Sequence, residues 1–322
     1  MVTIADSSGE ELRAMRFDAY DFDLNDKKAD FEISMLLSDW QDIPNGARIF
    51  IPDTEFGGLF SRLETDTKTR TIAAGGFTWR GMLRNKVIIP PSGEDYATDT
   101  GDINDIIRAR VEEAYDGLFT GAAPAGVTVN YQYKRYCTLY DGLTDMLATV
   151  GYKPRIKYNQ ELKRVVVDAV PIVDYSKLVE FSSDMTADYH VIQDRGGVNH
   201  LICLGVGQLA ERTVVHLYTD RYGNISQTQT FTGTDEIVQV YDYSSADEAQ
   251  LITSGTDQLK MLRARNDLSM DVDGQSFEIG DIVGGRDYIT GITMRAKVIG
   301  ILRQSKNGIE TTEYTISDVM EE

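Results

Sequence analysis

The stretch GLTDMLATVGYKPRIKYNQELKRVVVDAV, from Gly142 to Val170, predicts a helix followed by a β-hairpin. The helix begins near Thr138, and its apolar residues recur at the spacing of one buried helix face. Gly151 is placed to end it, because glycine readily adopts the left-handed conformation that closes helices. Two strands follow, Arg155–Asn159 and Lys163–Val170, around the turn Asn159-Gln160-Glu161-Leu162. The buried face of the helix is expected to contain Leu139, Leu143, Met146, Leu147 and Val150.

A second helix is predicted upstream, after a segment rich in turn-forming residues. The segment PPSGEDYATDTG, Pro90 to Gly101, is dense in such residues and predicts a module boundary. Asp102 is then placed to cap a helix. Its apolar face has a 3.6-residue period and is formed by Ile103, Ile107, Val111 and Tyr115.

The N-terminal part of the chain shows closely spaced strand patterns. Alternating apolar residues predict strands at Arg16–Phe22 and Phe31–Leu37, with a hairpin turn between them. Another strand is predicted at Ala47–Pro52. Gly58–Thr65 and Thr69–Thr78 flank the sequence DTKT and predict a second hairpin. Such spacing is typical of a small barrel or sandwich.

Strands dominate again from Asp188 onward, with one helix among them. His200–Val206 and Arg212–Tyr218 are the clearest strands. Ser245 and Glu248 have the spacing of a capping box, and the helix they predict ends before Asp267. Its apolar face consists of Leu251, Leu259 and Leu262.

The last part, Leu268 to Ile316, predicts short strands separated by turns such as Asp273-Gly274 and Asn307-Gly308. The whole chain is therefore predicted to be α+β and mostly β. We expect a first β-barrel-like domain at 1–92, an α+β insertion domain at 93–187 and a second β-barrel-like domain with one helix at 188–322. A chain of 322 residues is long enough for several such modules.

Composition excludes several classes of function. The chain has 51 acidic and 32 basic residues and a net charge of −19, without a basic cluster that would bind nucleic acid. No apolar run reaches the length of a membrane helix, and the N-terminus does not have the pattern of a signal peptide. Cys137 and Cys203 lie far apart, so we expect reduced core cysteines, as in a protein that folds in a cytoplasm.

One acidic segment has the spacing of a calcium loop. In DFDLNDKKADFE, the loop positions 1, 3, 5 and 12 are Asp21, Asp23, Asn25 and Glu32. Asp26 stands where the loop needs glycine, and the flanking sequences predict strands and not helices. A solvated hairpin turn is favoured. Asp271-Val272-Asp273-Gly274 is a still weaker match, because Asp-Gly alone is a turn signal.

The sequence contains no recognisable catalytic motif. His190, His200 and His216 lack the spacing of a metal-binding motif, and no G-x-S-x-G sequence is present. Gly205-Val206-Gly207 follows a strand, but Ala210 replaces the third glycine of a dinucleotide-binding motif. Paired carboxylates carry little information in so acidic a chain. We therefore predict no catalytic, cofactor-binding or metal-binding residue, no cofactor and no enzyme activity.

Four tyrosines crowd a short stretch: Tyr131, Tyr133, Tyr136 and Tyr140. Exposed aromatic rings can stack on sugars or anchor a protein interface. Tyr131 and Tyr133 share one face of a predicted strand, which favours packing in a core or at a subunit contact over a sugar-binding surface.

Four blocks, in order along the chain, resemble a known family. They are FTWRGMLRNKVIIPPSG (Phe77–Gly93), the opening stretch Gly142–Val170, VNHLICLGVGQLAERTVVHLY (Val198–Tyr218) and SFEIGDIVGGRDYITGITMRAKVIGILRQSKNGIETTEYTIS (Ser276–Ser317). Together they resemble the tail hub proteins of siphophages, the Gp37-like group related to the baseplate hub of contractile phages.

The resemblance implies a homotrimer at the tail tip of a virion, assembled in the host cytoplasm. Its implied partners are the distal tail protein, the tape measure protein and tip or receptor-binding fibre proteins, with genomic DNA only in transit and no membrane. The chain ends soon after the last predicted strand, so we expect wall-degrading activity to belong to other chains.

Two alternatives stay open from the sequence. One is a tail-associated peptidoglycan hydrolase that uses acidic residues. The other is a carbohydrate-binding tail protein that uses the stretch Tyr131–Tyr140. The acidic composition also suggests the hypothesis of a channel wall that repels DNA.

Overall fold

The computed structural model describes residues 2–15, 17, 19–25, 29–175, 187–194, 196–220, 223–263, 265–272, 276–286, 293–306 and 308–317. Contacts divide the chain into two units. The first consists of Met1–Asp188 with Met270–Ser317, and the second contains Tyr189–Ser269. The predicted domains 1–92, 93–187 and 188–322 stay a prediction.

Most of the regular structure is β. The helices are α1 (Trp79–Arg84), α2 (Ile103–Ala114), α3 (Leu139–Ala148) and α4 (Glu248–Leu262). The strands are β1 (Val2–Ala5), β2 (Glu11–Met15), β3 (Ala19–Asp23), β4 (Asp30–Leu36), β5 (Arg48–Phe50), β6 (Gly57–Leu59), β7 (Arg62–Asp66), β8 (Thr71–Phe77), β9 (Thr98–Asp102), β10 (Phe119–Gly121), β11 (Thr128–Gln132), β12 (Tyr152–Asn159), β13 (Arg164–Pro171), β14 (Ala187–Asp194), β15 (His200–Leu204), β16 (Val214–Thr219), β17 (Ile225–Ser226), β18 (Val238–Asp242), β19 (Arg265–Val272), β20 (Ile282–Arg286), β21 (Thr293–Lys306) and β22 (Ile309–Ile316).

The predicted class, α+β and mostly β, is confirmed. The barrel-like closure of the two predicted β domains stays a prediction. Within the described residues, no helix is both long and apolar enough to cross a bilayer.

Two sheets of the first unit share a hydrophobic core. One sheet has the strand order β2-β1-β5-β6, and the other includes the order β22-β21-β3-β4-β8-β7. The predicted hairpin of β3 and β4 is confirmed, although the first strand begins at Ala19, and Arg16 and Asp18 lie outside the described residues. Alternation buries Phe31, Ile33 and Met35 of β4 at 5% exposure or less. The strands β1 and β2 were not predicted.

The predicted helices α2 and α3 begin where expected: α2 follows Asp102, the residue expected to cap it, and α3 follows Thr138. The Asp102 carboxylate accepts the N–H of Asn104 at 2.9 Å, and Thr138 Oγ1 accepts the N–H of Asp141 at 3.0 Å. Gly151, with φ +76°, follows the end of α3 as expected. Both helices pack on the sheet of β10, β13 and β12 around one core, which contains Ile103, Ile107, Val111, Leu143 and Met146.

The predicted hairpin of the opening stretch is confirmed as β12 and β13. These strands pair antiparallel from Tyr152 opposite Pro171 to Asn159 opposite Arg164. The hairpin tip is held by Arg48 of β5, which is only 5% exposed. Its guanidinium donates to the backbone oxygens of Lys163 and Ser7 and to the Tyr158 hydroxyl. One buried cation thus joins the hairpin to the N-terminal sheet.

A buried ion pair joins β12 to the C-terminal part of the first unit. Lys153 Nζ lies 2.7 Å from Asp281 Oδ1, and both residues are 2% exposed or less. Glu278 lies 3.1 Å from the same amine. The Asp281 carboxylate also accepts the backbone N–H groups of Val173, at 3.0 Å, and Glu278, at 3.1 Å. Hydrogen bonds to the carboxylate offset part of the cost of burying its charge.

The first unit ends in a long hairpin, not in the short strands that were predicted. β21 spans fourteen residues and pairs with β22 on one side and with β3 on the other. The predicted turn Asn307-Gly308 connects β21 and β22. Asn307 lies outside the described residues, and Gly308 has φ +79°, a conformation that favours glycine.

The second unit contains a four-stranded sheet, in the order β17-β16-β15-β18, and the helix α4. The predicted strands His200–Val206 and Arg212–Tyr218 are confirmed as β15 and β16. The predicted capping box of Ser245 and Glu248 is wrong. The Asp247 carboxylate accepts the N–H of Gln250 at 2.9 Å, and Gln250 Oε1 accepts the N–H of Asp247 at 3.1 Å, so the helix begins two residues later than this spacing implied.

Replacing Lys153 by Met should lower the free energy of unfolding by about 3 kcal/mol, because the Asp281 charge would stay buried without its cation. Urea unfolding of the full chain measures this change. Lys134→Met is the control, since Lys134 is 77% exposed and pairs with the half-exposed Asp145. Its cost should be about 0.5 kcal/mol or less. Equal costs for the two variants would contradict the role assigned to Lys153.

Asp102→Ala should lower the free energy of unfolding by about 1 kcal/mol at neutral pH, because the α2 cap is lost. Burial raises the pKa of Asp102, but the N–H groups of Ala125, Asn104 and Gly126 outweigh it, so the pKa lies below its ordinary 3.8. A lowered pKa gives stability that is present above roughly pH 4 and lost as the pH falls further. The difference between wild type and variant should therefore be constant above about pH 4 and shrink as the pH falls below that value. A difference that is independent of pH would argue against a role for the charge.

Candidate assembly surfaces

The sheet of the second unit has a covered face and an open face among the described residues. Leu201, Cys203 and Leu217 pack against α4 on the covered face. Residues alternate across a strand, so their neighbours point the other way. Ile202 stands opposite His216 of β16 and Val240 of β18. We call the surface formed by Ile202, Leu204, Val214, His216, Val238 and Val240 the open face.

The open face exposes branched apolar side chains on β16 and β18, the strands on either side of β15. Val214, Val238 and Val240 are 45%, 47% and 55% exposed. At one end, the Arg212 guanidinium pairs with the Asp242 carboxylate at 2.5 Å, so the charges there cancel. A contiguous exposed apolar patch with little net charge is typical of a protein interaction site. Strand β18 was not predicted, although Val238 and Val240 alternate with Gln239 and Tyr241.

A second exposed surface is the arm formed by residues 61–70, which contains β7 and its turn to β8. Every residue of β7 is exposed, and charges of both signs follow one another along the arm. The Glu64 carboxylate accepts a hydrogen bond from Arg62 and raises the pKa of that guanidinium. Asp66 accepts the N–H groups of Lys68, at 2.7 Å, and Thr69, at 3.2 Å, which lower its pKa. These hydrogen bonds hold the turn in one conformation.

The calcium-like segment forms turn contacts. Asp21 Oδ1 accepts the N–H of Glu32 at 3.0 Å, and Asp23 Oδ1 accepts the N–H of Asn25 at 2.8 Å. Residues 26–28 and 273–275 lie outside the described residues. Asp26 of the first predicted turn and Asp273-Gly274 of the second are among them. Where the structure is described, no three His, Cys, Asp or Glu residues are placed to share a metal ion.

Three of the four tyrosines in the stretch pack in or against the core. Tyr133 and Tyr140 are 1% and 6% exposed, and Tyr131 is partly buried with its ring 5.1 Å from that of Tyr133. Burial, together with the neighbouring Asp99 carboxylate, raises the pKa of the Tyr133 hydroxyl. Tyr136 is 57% exposed. The four rings therefore do not form a joint surface for a sugar.

The two cysteines are not bonded to each other: Cys203 is buried, Cys137 is partly buried, and burial raises the pKa of both thiols. That they are reduced stays a prediction. Gly205 packs against the start of α4, where an added Cβ would lie 2.6 Å from the backbone oxygen of Ala246. This close contact explains the glycine without a bound phosphate. His190 lies on β14, outside the residues with described side chains. His200 and His216 meet on neighbouring strands.

No protein-family model and no curated protein matches the sequence. Solved structures do match the fold. The 43 kDa tail protein of prophage MuSo2 from Shewanella oneidensis aligns over 98% of both chains, with a TM-score of 0.54 and 12% sequence identity. The chain has the fold of a phage tail protein.

The tail protein from Neisseria meningitidis MC58 is also similar, with a TM-score of 0.50 and 17% identity over 98% of this chain and 96% of that one. The resemblance drawn from the four sequence blocks is thus confirmed at the level of the tail-protein fold.

Proposed function

We propose that this chain is a structural hub subunit of a phage tail tip. It would form a homotrimer that joins the tail tube and the distal tail ring to tip or fibre proteins. The observation that carries the proposal is the alignment over 98% of both chains with a tail protein, which leaves little of the fold unaccounted for. The proposed place of action is the virion.

The exposed surfaces provide for contacts in such an assembly. The open face offers an apolar area where copies of an acidic chain approach each other with little repulsion, since the local charges cancel. The arm of residues 61–70 offers paired charges that suit a polar contact with a distal tail, tape measure or tip protein. The open face would thus make apolar contacts and the arm charged contacts.

The net charge of −19 supports a passive channel. DNA is itself a dense polyanion, and proteins bind it by neutralising phosphates with Lys and Arg. In the proposed trimer, an acidic wall would let the genome pass without binding it.

An amber stop codon in the gene, introduced into the phage genome, should abolish infectious particles. Electron microscopy of a lysate from a host that does not suppress the amber codon should show DNA-filled heads without normal tail tips, because the proposed hub joins the tail tube to the tip. Plasmid-borne wild-type chain should restore infectivity. Normal tail tips in the mutant lysate would overturn the proposal.

Val240→Lys should fold normally but fail to restore infectivity in that complementation assay. The Val240 side chain is 55% exposed, so the free energy of unfolding should change by less than about 0.5 kcal/mol. Docking at the open face would bury the new lysine charge, and this cost should prevent docking. Gln239→Lys is the matched control, since Gln239 is exposed on the same strand but points to the other face. Full rescue by Val240→Lys would exclude the open face as a contact.

The chain is proposed to be non-enzymatic, and a zymogram tests this directly. Purified protein should leave embedded peptidoglycan intact, because the proposed role is structural. Lysis that a single carboxylate substitution abolishes would favour the hydrolase alternative. Glycan-array binding that Tyr136→Ala abolishes would favour the carbohydrate-binding alternative.

A further inference from the structure

Two histidines of the second unit face each other across neighbouring strands. His200 Nε2 of β15 lies 2.8 Å from His216 Nδ1 of β16. The other ring nitrogen of His200, Nδ1, lies 2.7 Å from Glu236 Oε1. Carboxylate and two imidazoles therefore form a continuous chain of hydrogen bonds.

These hydrogen bonds determine which ring nitrogens carry protons. An ionised carboxylate only accepts hydrogen bonds, so His200 Nδ1 carries a proton and donates it to Glu236. With that ring neutral, its Nε2 lone pair points at His216. The single proton between the rings then belongs to His216 Nδ1. Two imidazole nitrogens thus compete for one proton at a short distance.

The surroundings fix one ring and leave the other accessible. His200 is 7% exposed, and its ring stacks on Tyr218 with centroids 4.3 Å apart. Gln229 Nε2 donates to the same Glu236 oxygen at 2.9 Å and holds the carboxylate in place. His216 is exposed, so solvent and ions reach it. The site is half rigid and open on one side.

We propose that His200 and His216 bind a divalent transition-metal ion such as Zn²⁺ or Ni²⁺. Neutral imidazole nitrogens are preferred ligands of these ions. The ion would take the place of the proton between the two rings. That proton leaves His216 Nδ1 for solvent while His216 Nε2 takes a proton from water, so the His216 ring stays neutral. Water completes the coordination.

The geometry needs only a small adjustment. Two nitrogens at about 2.05 Å from a tetrahedral ion are about 3.3 Å apart, against 2.8 Å here. Rotation of the exposed His216 ring supplies the difference. Glu236 then has the outer-shell role that carboxylates have behind metal-bound histidines: it orients the His200 ring and fixes its tautomer. The bound ion would link β15 to β16.

Titration of the full chain with Zn²⁺ and, separately, Ni²⁺ tests the site. Calorimetry should show one ion per chain, and thermal unfolding should shift to higher temperature as the ion concentration rises. His216→Asn, at an exposed position, should abolish both effects. Glu236→Gln should weaken binding by roughly tenfold or more while the fold is kept. His190→Asn, which changes the third histidine, should bind as the wild type does.

Three outcomes would overturn the site. The first is a wild-type chain that binds neither ion. The second is binding that His216→Asn leaves unchanged. The third is binding that Cys137→Ser removes and His216→Asn does not, which would place the ion on the half-buried thiol.

Discussion

The first unit depends on the ion pair of Lys153 and Asp281, because this unit is built from two parts of the chain that are far apart in sequence. The chain leaves the unit near residue 188 and returns near residue 270. Backbone pairing of β21 with β3 fixes the register of the returning part, and the buried ion pair fixes its position on β12. A hydrophobic contact in place of this pair would tolerate sliding, whereas the Asp281 carboxylate also binds two defined backbone N–H groups.

Local signals were predicted well, for physical reasons that single residues illustrate. The helix ends were predicted from Asp102, Thr138 and Gly151. Each of these residues acts within one helical turn, so its effect depends on local sequence and not on the rest of the fold. The same holds for the β12–β13 hairpin, whose strands are neighbours in sequence. The capping box was misplaced because the sequence offers two overlapping spacings, Ser245 with Glu248 and Asp247 with Gln250, and the helix uses the second.

Long-range features could not be read from one sequence. The short strands β1 and β2 lack an alternating pattern of useful length, and the pairing of β3 with β21 depends on register that no local pattern records. The open face was missed for a related reason: HLICL is apolar at both alternate sets of positions, so its sequence does not say which face is covered. The facing histidines, too, arise from strand pairing and not from a spacing motif.

Similarity of fold at 12% identity fits this picture, since burial patterns survive changes of residue type better than motifs do.

The pairing of β3 with β21 has a consequence for synthesis on the ribosome. β3 is synthesised long before β21, its second neighbour in the sheet, because most of the chain described here lies between them. Until then one edge of β3 has no strand partner from its own sheet, and an unpaired edge is a template for wrong pairing. Folding of the first unit is therefore expected to wait for the synthesis of β21 and to be slow, as for other topologies with distant strand partners. During that interval, the high negative charge of the chain would keep nascent copies apart.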